Sequence, residues 1–287
     1  MKIDILYQDQ DVTVIAKPSG LVVNRADTVT EPTVQDWFAE QLKADEFAKK
    51  TAAKTSWQKM VPANFANEYG SPEEIFAERG GIVHRLDKET SGVLVLANNP
   101  GALVELLRQF REREVAKMYT CLAHGKFQIL EDTLQLPLGR SSQNRTKFTL
   151  DVEGRLAETH YKVTQFYPKL DIEKVAGLVE ARSGAEAVRN LRKKLERNYQ
   201  GFSLVQCWPK TGRTHQIRVH MSTIQHPLVS DNTYLGKKRH SLDNLWCSRL
   251  FLHASELEFA HPRTGEKLKF ELPLPAELEA ATNLLLG

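Results

Sequence analysis

The residues best able to do chemistry lie in two short windows. The first, Gly80-Gly81-Ile82-Val83-His84-Arg85-Leu86-Asp87-Lys88-Glu89-Thr90-Ser91-Gly92, runs into the continuous apolar segment Val93-Leu94-Val95-Leu96-Ala97. An aspartate between apolar sequence and a Thr-Ser-Gly turn sits at the margin of a core, on a rigid strand and a tight loop. A carboxylate there is partly shielded from water yet open to a ligand, the setting of a nucleophile or a general base. The residue type by itself favours a plainer role, capping of the following turn by the side-chain oxygen. The window alone leaves both roles open.

The second window is Lys210-Thr211-Gly212-Arg213-Thr214-His215-Gln216-Ile217-Arg218-Val219-His220. Gly212 permits a sharp turn, and Thr214 is the expected N-cap of a helix from 215 to about 224. On that helix His215 and Arg218 occupy neighbouring turns of one face, while Ile217, Val219 and Ile224 supply apolar contacts. A guanidinium anchored in this way can pair with a buried carboxylate and hold it ionised. His215, His220 and His226 are the competing metal set, but spacings of five and six residues do not match the i, i+4 pair of a helical zinc site. No metal is expected.

The elements that must position these windows follow from periodicity. Residues 3–7 and 12–16 are apolar runs around the polar turn Gln8-Asp9-Gln10-Asp11, a hairpin pattern. Lys17-Pro18-Ser19-Gly20 signals a turn, with Leu21-Val22-Val23 continuing extended. From Thr33, the spacing of Val34, Trp37, Phe38 and Leu42 predicts an amphipathic helix. Pro100 opens a second helix with Leu103, Leu106, Leu107 and Phe110 on one face. Strand-like segments recur at 115–123, 158–166, 202–208, 251–259 and 267–272. Residues 49–80 lose periodicity and read as a surface insertion, and a second insertion at about 171–200 ends in the basic helical run 189–197. Many strands and few intervening helices predict an α+β domain on a largely antiparallel sheet. Nothing marks a boundary between independent domains, so residues 1–287 are expected to form one domain, with insertions near 39–80 and 171–200.

The 287 residues are 41% hydrophobic and 26% charged, enough to bury a sizeable core. No apolar run approaches the roughly 20 residues of a membrane-spanning helix, and the polar N-terminus MKIDILYQDQD does not read as a signal peptide. Cys121, Cys207 and Cys247 lie far apart without a CxxC pair, which suits a reducing cytoplasm. The formal charge of +3 hides an uneven distribution. Residues 137–150 hold Arg140, Arg145 and Lys147 with no acid, and residues 201–240 hold six Lys and Arg against Asp231 alone. These windows carry +3 and +5, so the remainder carries −5. Confined cations on an otherwise acidic chain are the footprint of phosphate-backbone binding or, more plainly, a solvated basic face.

Taken together, His84-Arg85-Leu86-Asp87 with Thr90-Ser91-Gly92, and Thr211-Gly212-Arg213 with His215-Gln216-Ile217-Arg218 and His220, resemble the motifs of RluA-type RNA pseudouridine synthases. The likeness extends to Ile15-Ala16-Lys17-Pro18-Ser19-Gly20, Lys117-Met118-Tyr119, Pro227-Leu228 before Asp231, and Leu252-His253-Ala254, in the family's order and over about residues 5–273. The resemblance implies a mixed, mainly antiparallel sheet in two halves flanked by helices, with a central basic cleft. It implies isomerisation of uridine to pseudouridine in tRNA or ribosomal RNA, by base flipping and without cofactor or metal. By the same resemblance Asp87 is the catalytic carboxylate, in place of a turn cap. It would attack the anomeric carbon or remove a proton from the sugar 2′ carbon. Tyr119 would stack on the flipped base and assist loss of the carbon-5 proton, Arg218 would pair with the catalytic Asp, and Ile217 would pack on the base. Arg85 would fill the gap left in the RNA stack, His84 and His215 would line the substrate site, and Arg140, Arg145, Lys147, Lys210 and Arg213 would contact the backbone.

Two departures bear on substrate. The chain starts directly at the catalytic strands, so a stand-alone catalytic domain without an S4-type RNA-binding domain is expected, and a monomer. The family often has Gly before the Asp at 231, where this chain has Ser230. The rival readings are an inactive relative that only binds RNA and a glycosidic hydrolase. The latter would need a second carboxylate that these motifs do not supply.

Overall fold

Strands β1 (Asp4–Gln8) and β2 (Val12–Lys17) form the expected antiparallel hairpin. Its turn is organised by Asp9, whose Oδ1 accepts the N–H groups of Asp11 and Val12, each at 2.8 Å. The computed structural model describes residues 2–27, 29–44, 57–65, 70–144, 147–188 and 190–287. Its contacts divide the chain into two compact units, Met1–Lys117 with Ala254–Leu272, and Met118–His253 with Pro273–Gly287.

In the first unit β2 pairs with β3 (Ser91–Ala97), β3 with β10 (Leu252–Ala260), and β10 with β11 (Lys267–Glu271). β3 is buried along its whole length, as its unbroken apolar sequence requires. Helices α1 (Val34–Ala44) and α3 (Pro100–Glu112) follow the predicted periodicity. Asn99 caps α3 by accepting the Ala102 N–H at 2.9 Å. The core gathers Val12, Val14, Val93, Val95, Leu103, Leu106, Leu257 and Phe259. Val22 and Val23 do not extend a strand; their carbonyls accept the N–H groups of Val34 and Gln35 and so receive the start of α1.

The 49–80 region is not mere surface. A 3₁₀ turn at Trp57–Met60 and helix α2 (Pro72–Arg79) bury Met60 and Ile75 in the core of this unit. Helix α2 starts with a reciprocal capping box between Ser71 and Glu74 and ends at left-handed Gly80. Those signals sit in sequence too short to show a helical period. The part of the expected insertion at 49–56 and 66–69 lies outside the described residues.

In the second unit the strand order is β4 (Ala116–His124), β9 (Phe202–Pro209), β7 (Arg155–Tyr167), β5 (Glu131–Arg140), β6 (Phe148–Leu150), with each neighbouring pair antiparallel. A two-stranded ladder joins β8 (Lys169–Leu170) to β12 (Leu285–Leu286). Helices α4 (Ile172–Ser183), α5 (Ala185–Val188) and α6 (Leu191–Asn198) make up the second insertion. They are structural: Val175, Val179, Leu191 and Leu195 join Leu122, Phe202 and Phe251 in one buried cluster, against which α9 (Ala276–Thr282) places Leu278. Helices α7 (Gln216–Thr223) and α8 (Lys237–Asp243) complete the unit. The α+β class with a mainly antiparallel sheet holds. Strands β5 and β6 went unforeseen because β5 opens on three exposed polar residues, Glu131, Asp132 and Thr133, and β6 is only three residues long.

Candidate functional site

Residues 81–84 run beside β3: the Ala97 N–H donates to Gly81 O at 2.9 Å, and Ile82 bridges to Leu96. His84 follows, its ring stacked on Phe110 at 4.5 Å and its Nε2 accepting the Val95 N–H at 3.3 Å. Burial, and secondarily the Lys117 ammonium, push its pKa down to about 3, so it is neutral at physiological pH. Lys117 is itself pushed down to about 8 by burial. Arg85 is exposed, Leu86 buried and Asp87 half-buried. The turn after Asp87 is closed by its backbone carbonyl, which accepts the Thr90 N–H at 3.1 Å.

That turn is clamped from behind by the segment 17–21. Lys17 is 1% exposed, and its ammonium donates to Pro18 O and Leu21 O at 2.8 Å and to Lys88 O at 3.2 Å. The Gly20 N–H donates to Lys88 O at 2.8 Å, and Ser19 Oγ to Glu89 O at 2.7 Å. A buried cation is tolerated because several carbonyl dipoles solvate it. Together with Gly20 and Ser19, it fixes two successive carbonyls, Lys88 O and Glu89 O, of the loop that carries Asp87. Gly92 then enters β3 with φ +131°, and a Cβ there would lie 2.3 Å from Ala254 O. In the sequence, the signal for this clamp is a lone lysine ending an apolar strand.

In the second unit α7 begins one residue later than expected, and Thr214 is not its cap. His215 holds the N-cap position in the left-handed region, φ +57°, with no side-chain cap bond. The work falls to Gln216, whose Oε1 accepts Thr211 Oγ1 at 2.7 Å and the Arg213 N–H at 3.0 Å. Its Nε2 donates to Glu158 O and Thr159 Oγ1, both at 2.9 Å. The side chain of this first helical residue thus pins the Thr211–Arg213 turn to β7.

Arg218 is 3% exposed and Asp231 fully buried. Arg218 Nε and Nη2 donate to the two oxygens of Asp231, each at 2.8 Å, and Nη2 also donates to Thr233 Oγ1 at 2.8 Å. Asp231 Oδ1 accepts the N–H groups of Thr233 and Tyr234 as well, at 2.9 and 3.0 Å. The Tyr234 ring lies 5.3 Å from the guanidinium carbon, and its hydroxyl is 2.9 Å from His215 Nδ1. Asp231 was the only acid in the basic 201–240 window, which was the available signal for this partner.

The remaining predicted residues fall as follows. Ile217 is 5% exposed in a cluster with Cys121, Met221, Leu228 and Leu250. Tyr119, half-buried, stands opposite Cys207 on β9. Arg140 is exposed with its guanidinium 5.6 Å from the Phe148 ring, and half-buried Lys147 closes the 141–147 loop through Ser141 and Asn144. Arg145 lies outside the described residues. Lys210 is exposed and paired with Glu158 at 3.1 Å. Arg213 helps to line a cavity of about 400 Å³ with Phe148, Asp151 and Arg155, and its buried Nε has no partner among the described residues. His226 stacks on Phe127 at 3.7 Å and bonds His124 O. Asp9, Asp11 and His261 form a compact group of possible ligands. Their oxygens and nitrogens are engaged with each other, with Arg263 and with Asn99, as expected of a structural knot.

Comparison with known proteins places this arrangement. The family model described as RNA pseudouridylate synthase matches residues 11–223. The uncharacterized RNA pseudouridine synthase YlyB of Bacillus subtilis is 33% identical over 278 residues, covering 97% of this chain and 71% of that protein. Ribosomal large subunit pseudouridine synthase D of Neisseria meningitidis serogroup B is 33% identical over 286 residues, and the chain spans 60% of its length. The enzyme of that name from Vibrio parahaemolyticus is 31% identical, with 99% of this chain and 70% of that one covered. Among solved structures, Human RNA Pseudouridylate Synthase Domain Containing 1 shares the fold, with a TM-score of 0.62 at 24% identity over 98% of this chain and 87% of that one. The chain belongs to the RNA pseudouridylate synthase family, enzymes that isomerise uridine to pseudouridine within RNA. No helix among the described residues is long and apolar enough to cross a membrane.

Proposed function

We propose that Asp87 is the catalytic carboxylate and that the substrate is a uridine in structured ribosomal RNA of the large subunit. The observation that carries the first part is the clamp on its loop: Lys17, Ser19 and Gly20 hold the carbonyls of Lys88 and Glu89, so the carboxylate stands on a backbone that cannot relax. The second part draws on the names of the relatives from Neisseria and Vibrio. The target nucleotide is extruded from its stack before reaction. On one route an Asp87 oxygen bonds the anomeric carbon as the bond to N1 breaks. The base rotates, carbon 5 displaces the carboxylate, and the carbon-5 proton is lost as N1 gains one. On the other, Asp87 removes the 2′ proton as N1 leaves, and returns it after carbon 5 has bonded.

We assign contact with the base to Tyr119 and Ile217, loss of the carbon-5 proton to Tyr119, and the role of the catalytic carboxylate's arginine to Arg218. Arg85 fills the vacated stack, for which a planar guanidinium is suited. His84 and His215 shape the substrate site, and Arg140, Lys147, Lys210 and Arg213 contact phosphates.

The test is tritium release from RNA labelled at uridine carbon 5. Release by the wild type that disappears in Asp87→Asn, with RNA binding retained, is the expected result. Binding without release by the wild type overturns the enzyme reading, and free uracil as product makes it a hydrolase. Mapping pseudouridine in ribosomal and transfer RNA from a deletion strain tests the substrate: a site lost only from tRNA refutes the ribosomal assignment.

A further inference from the structure

We infer that the buried group His124, Asp243 and Tyr199 is a positioning device for Arg218, acting through Ser230 and Asp231. This rests on the role proposed above for Arg218. Ser230 has φ +57°, the left-handed region that a residue with a Cβ enters at a cost and glycine enters freely. It directly precedes Asp231, so its backbone sets the direction from which that carboxylate meets Arg218.

Two bonds hold Ser230 there. Its N–H donates to Asp243 Oδ2 at 2.9 Å, and its hydroxyl donates to Cys247 O at 2.5 Å. Asp243 is fully buried. Its Oδ2 also meets His124 Nε2 at 2.8 Å, and its Oδ1 accepts the Tyr199 hydroxyl at 2.7 Å. Trp246 Nε1 in turn donates to the Tyr199 oxygen at 3.2 Å. Burial and the Asp243 carboxylate keep the Tyr199 phenol far above its ordinary pKa, so it stays a donor. The Asp243 carbonyl accepts the N–H groups of Trp246 and Cys247, which fixes the residue that receives the Ser230 hydroxyl.

The chain of contacts runs from Tyr199 to Asp243, to the Ser230 N–H, across one peptide to Asp231, and on to Arg218. Tyr199 follows directly on α6, at the C-terminal cap of that helix. The inserted α4–α6 segment therefore reaches the guanidinium through the Tyr199 phenol. Where glycine precedes the aspartate no such restraint is required; serine makes this chain depend on one.

The experiment measures kcat and KM for tritium release, RNA binding and the melting temperature of the full chain. It compares wild type, Asp243→Ala, Tyr199→Phe, Ser230→Gly and the double variant Ser230→Gly/Asp243→Ala, with Arg218→Ala as control. Loss of the acceptor should lower kcat by about tenfold in Asp243→Ala, and loss of the phenol donor by about threefold in Tyr199→Phe, with KM changed less than about twofold. Ser230→Gly should recover most of the lost kcat in the double variant without restoring the melting temperature, because glycine holds the turn unaided. If Asp243→Ala fails to fold, Tyr199→Phe with and without Ser230→Gly makes the same comparison. Unchanged kcat in both network variants, or a loss that Ser230→Gly does not relieve, overturns the inference. Full activity in Arg218→Ala would instead overturn the role of Arg218 on which it rests.

Discussion

Removing the Asp231 carboxylate tests the electrostatics of the second unit most directly. Asp231→Ala leaves the Arg218 guanidinium 3% exposed and without its two bonds at 2.8 Å to that carboxylate. Breaking one side of a buried pair costs about 3–5 kcal/mol, because the remaining charge stays out of water. The N–H groups of Thr233 and Tyr234 lose their acceptor as well, which raises the expected loss to about 4–6 kcal/mol. With a urea m-value of about 3 kcal/mol/M, the midpoint of unfolding should fall by roughly 1.3–2 M. Tryptophan fluorescence reports the transition, since Trp246 is buried in this unit. The double variant Arg218→Met/Asp231→Val should regain most of that stability, because an apolar pair of similar volume leaves no charge to desolvate, yet show no tritium release. A loss below about 1 kcal/mol in Asp231→Ala, or a double variant no more stable than the single one, would refute the argument that these charges are mutually required.

Three further outcomes are expected. Gly92→Ala should lower the melting temperature by at least about 4 °C, because the new Cβ meets backbone atoms of Ala254 at 2.3 and 2.5 Å that cannot yield; a shift under about 1 °C would contradict that packing. Arg213→Ala should reduce the slope of log affinity against log salt by about 0.9 and Lys210→Ala by less, because Glu158 already neutralises Lys210; equal slopes would remove that distinction. His84 has a folded pKa of about 3 against an ordinary 6.5, so the unfolded chain binds more protons between those values and stability falls as pH drops through that window. His220, lowered to about 4 by burial, acts with the same sign. The urea midpoint should therefore decline from pH 7 to pH 4, less steeply in His84→Gln, and an unchanged slope in that variant would rule His84 out as a contributor.

How much of this was legible in the sequence depended on whether the relevant contacts were local. Apolar alternation and helical spacing placed β1, β2, β3, α1 and α3, because each buries one face of its own segment. The same logic misjudged the insertions: Met60, Ile75, Val175 and Leu195 are isolated apolar residues whose burial depends on partners far away in the chain. Thr214 looked like a cap because short hydroxyl side chains usually are, but Gln216 reaches Thr211, Arg213 and β7 at once, a competition no local rule resolves.

The sequence by itself determined the family and the basic windows, because the family's motifs are particular residue types in a fixed order along strand and loop. Only the tertiary structure decided how those residues are held. Lys17 meets Lys88 across 71 positions, His124 meets Asp243 across 119, and Arg218 meets Asp231 across a turn whose strained Ser230 is restrained from elsewhere. Hydrogen bonds and ion pairs depend on angstrom-scale distance in space, and separation along the chain does not encode it.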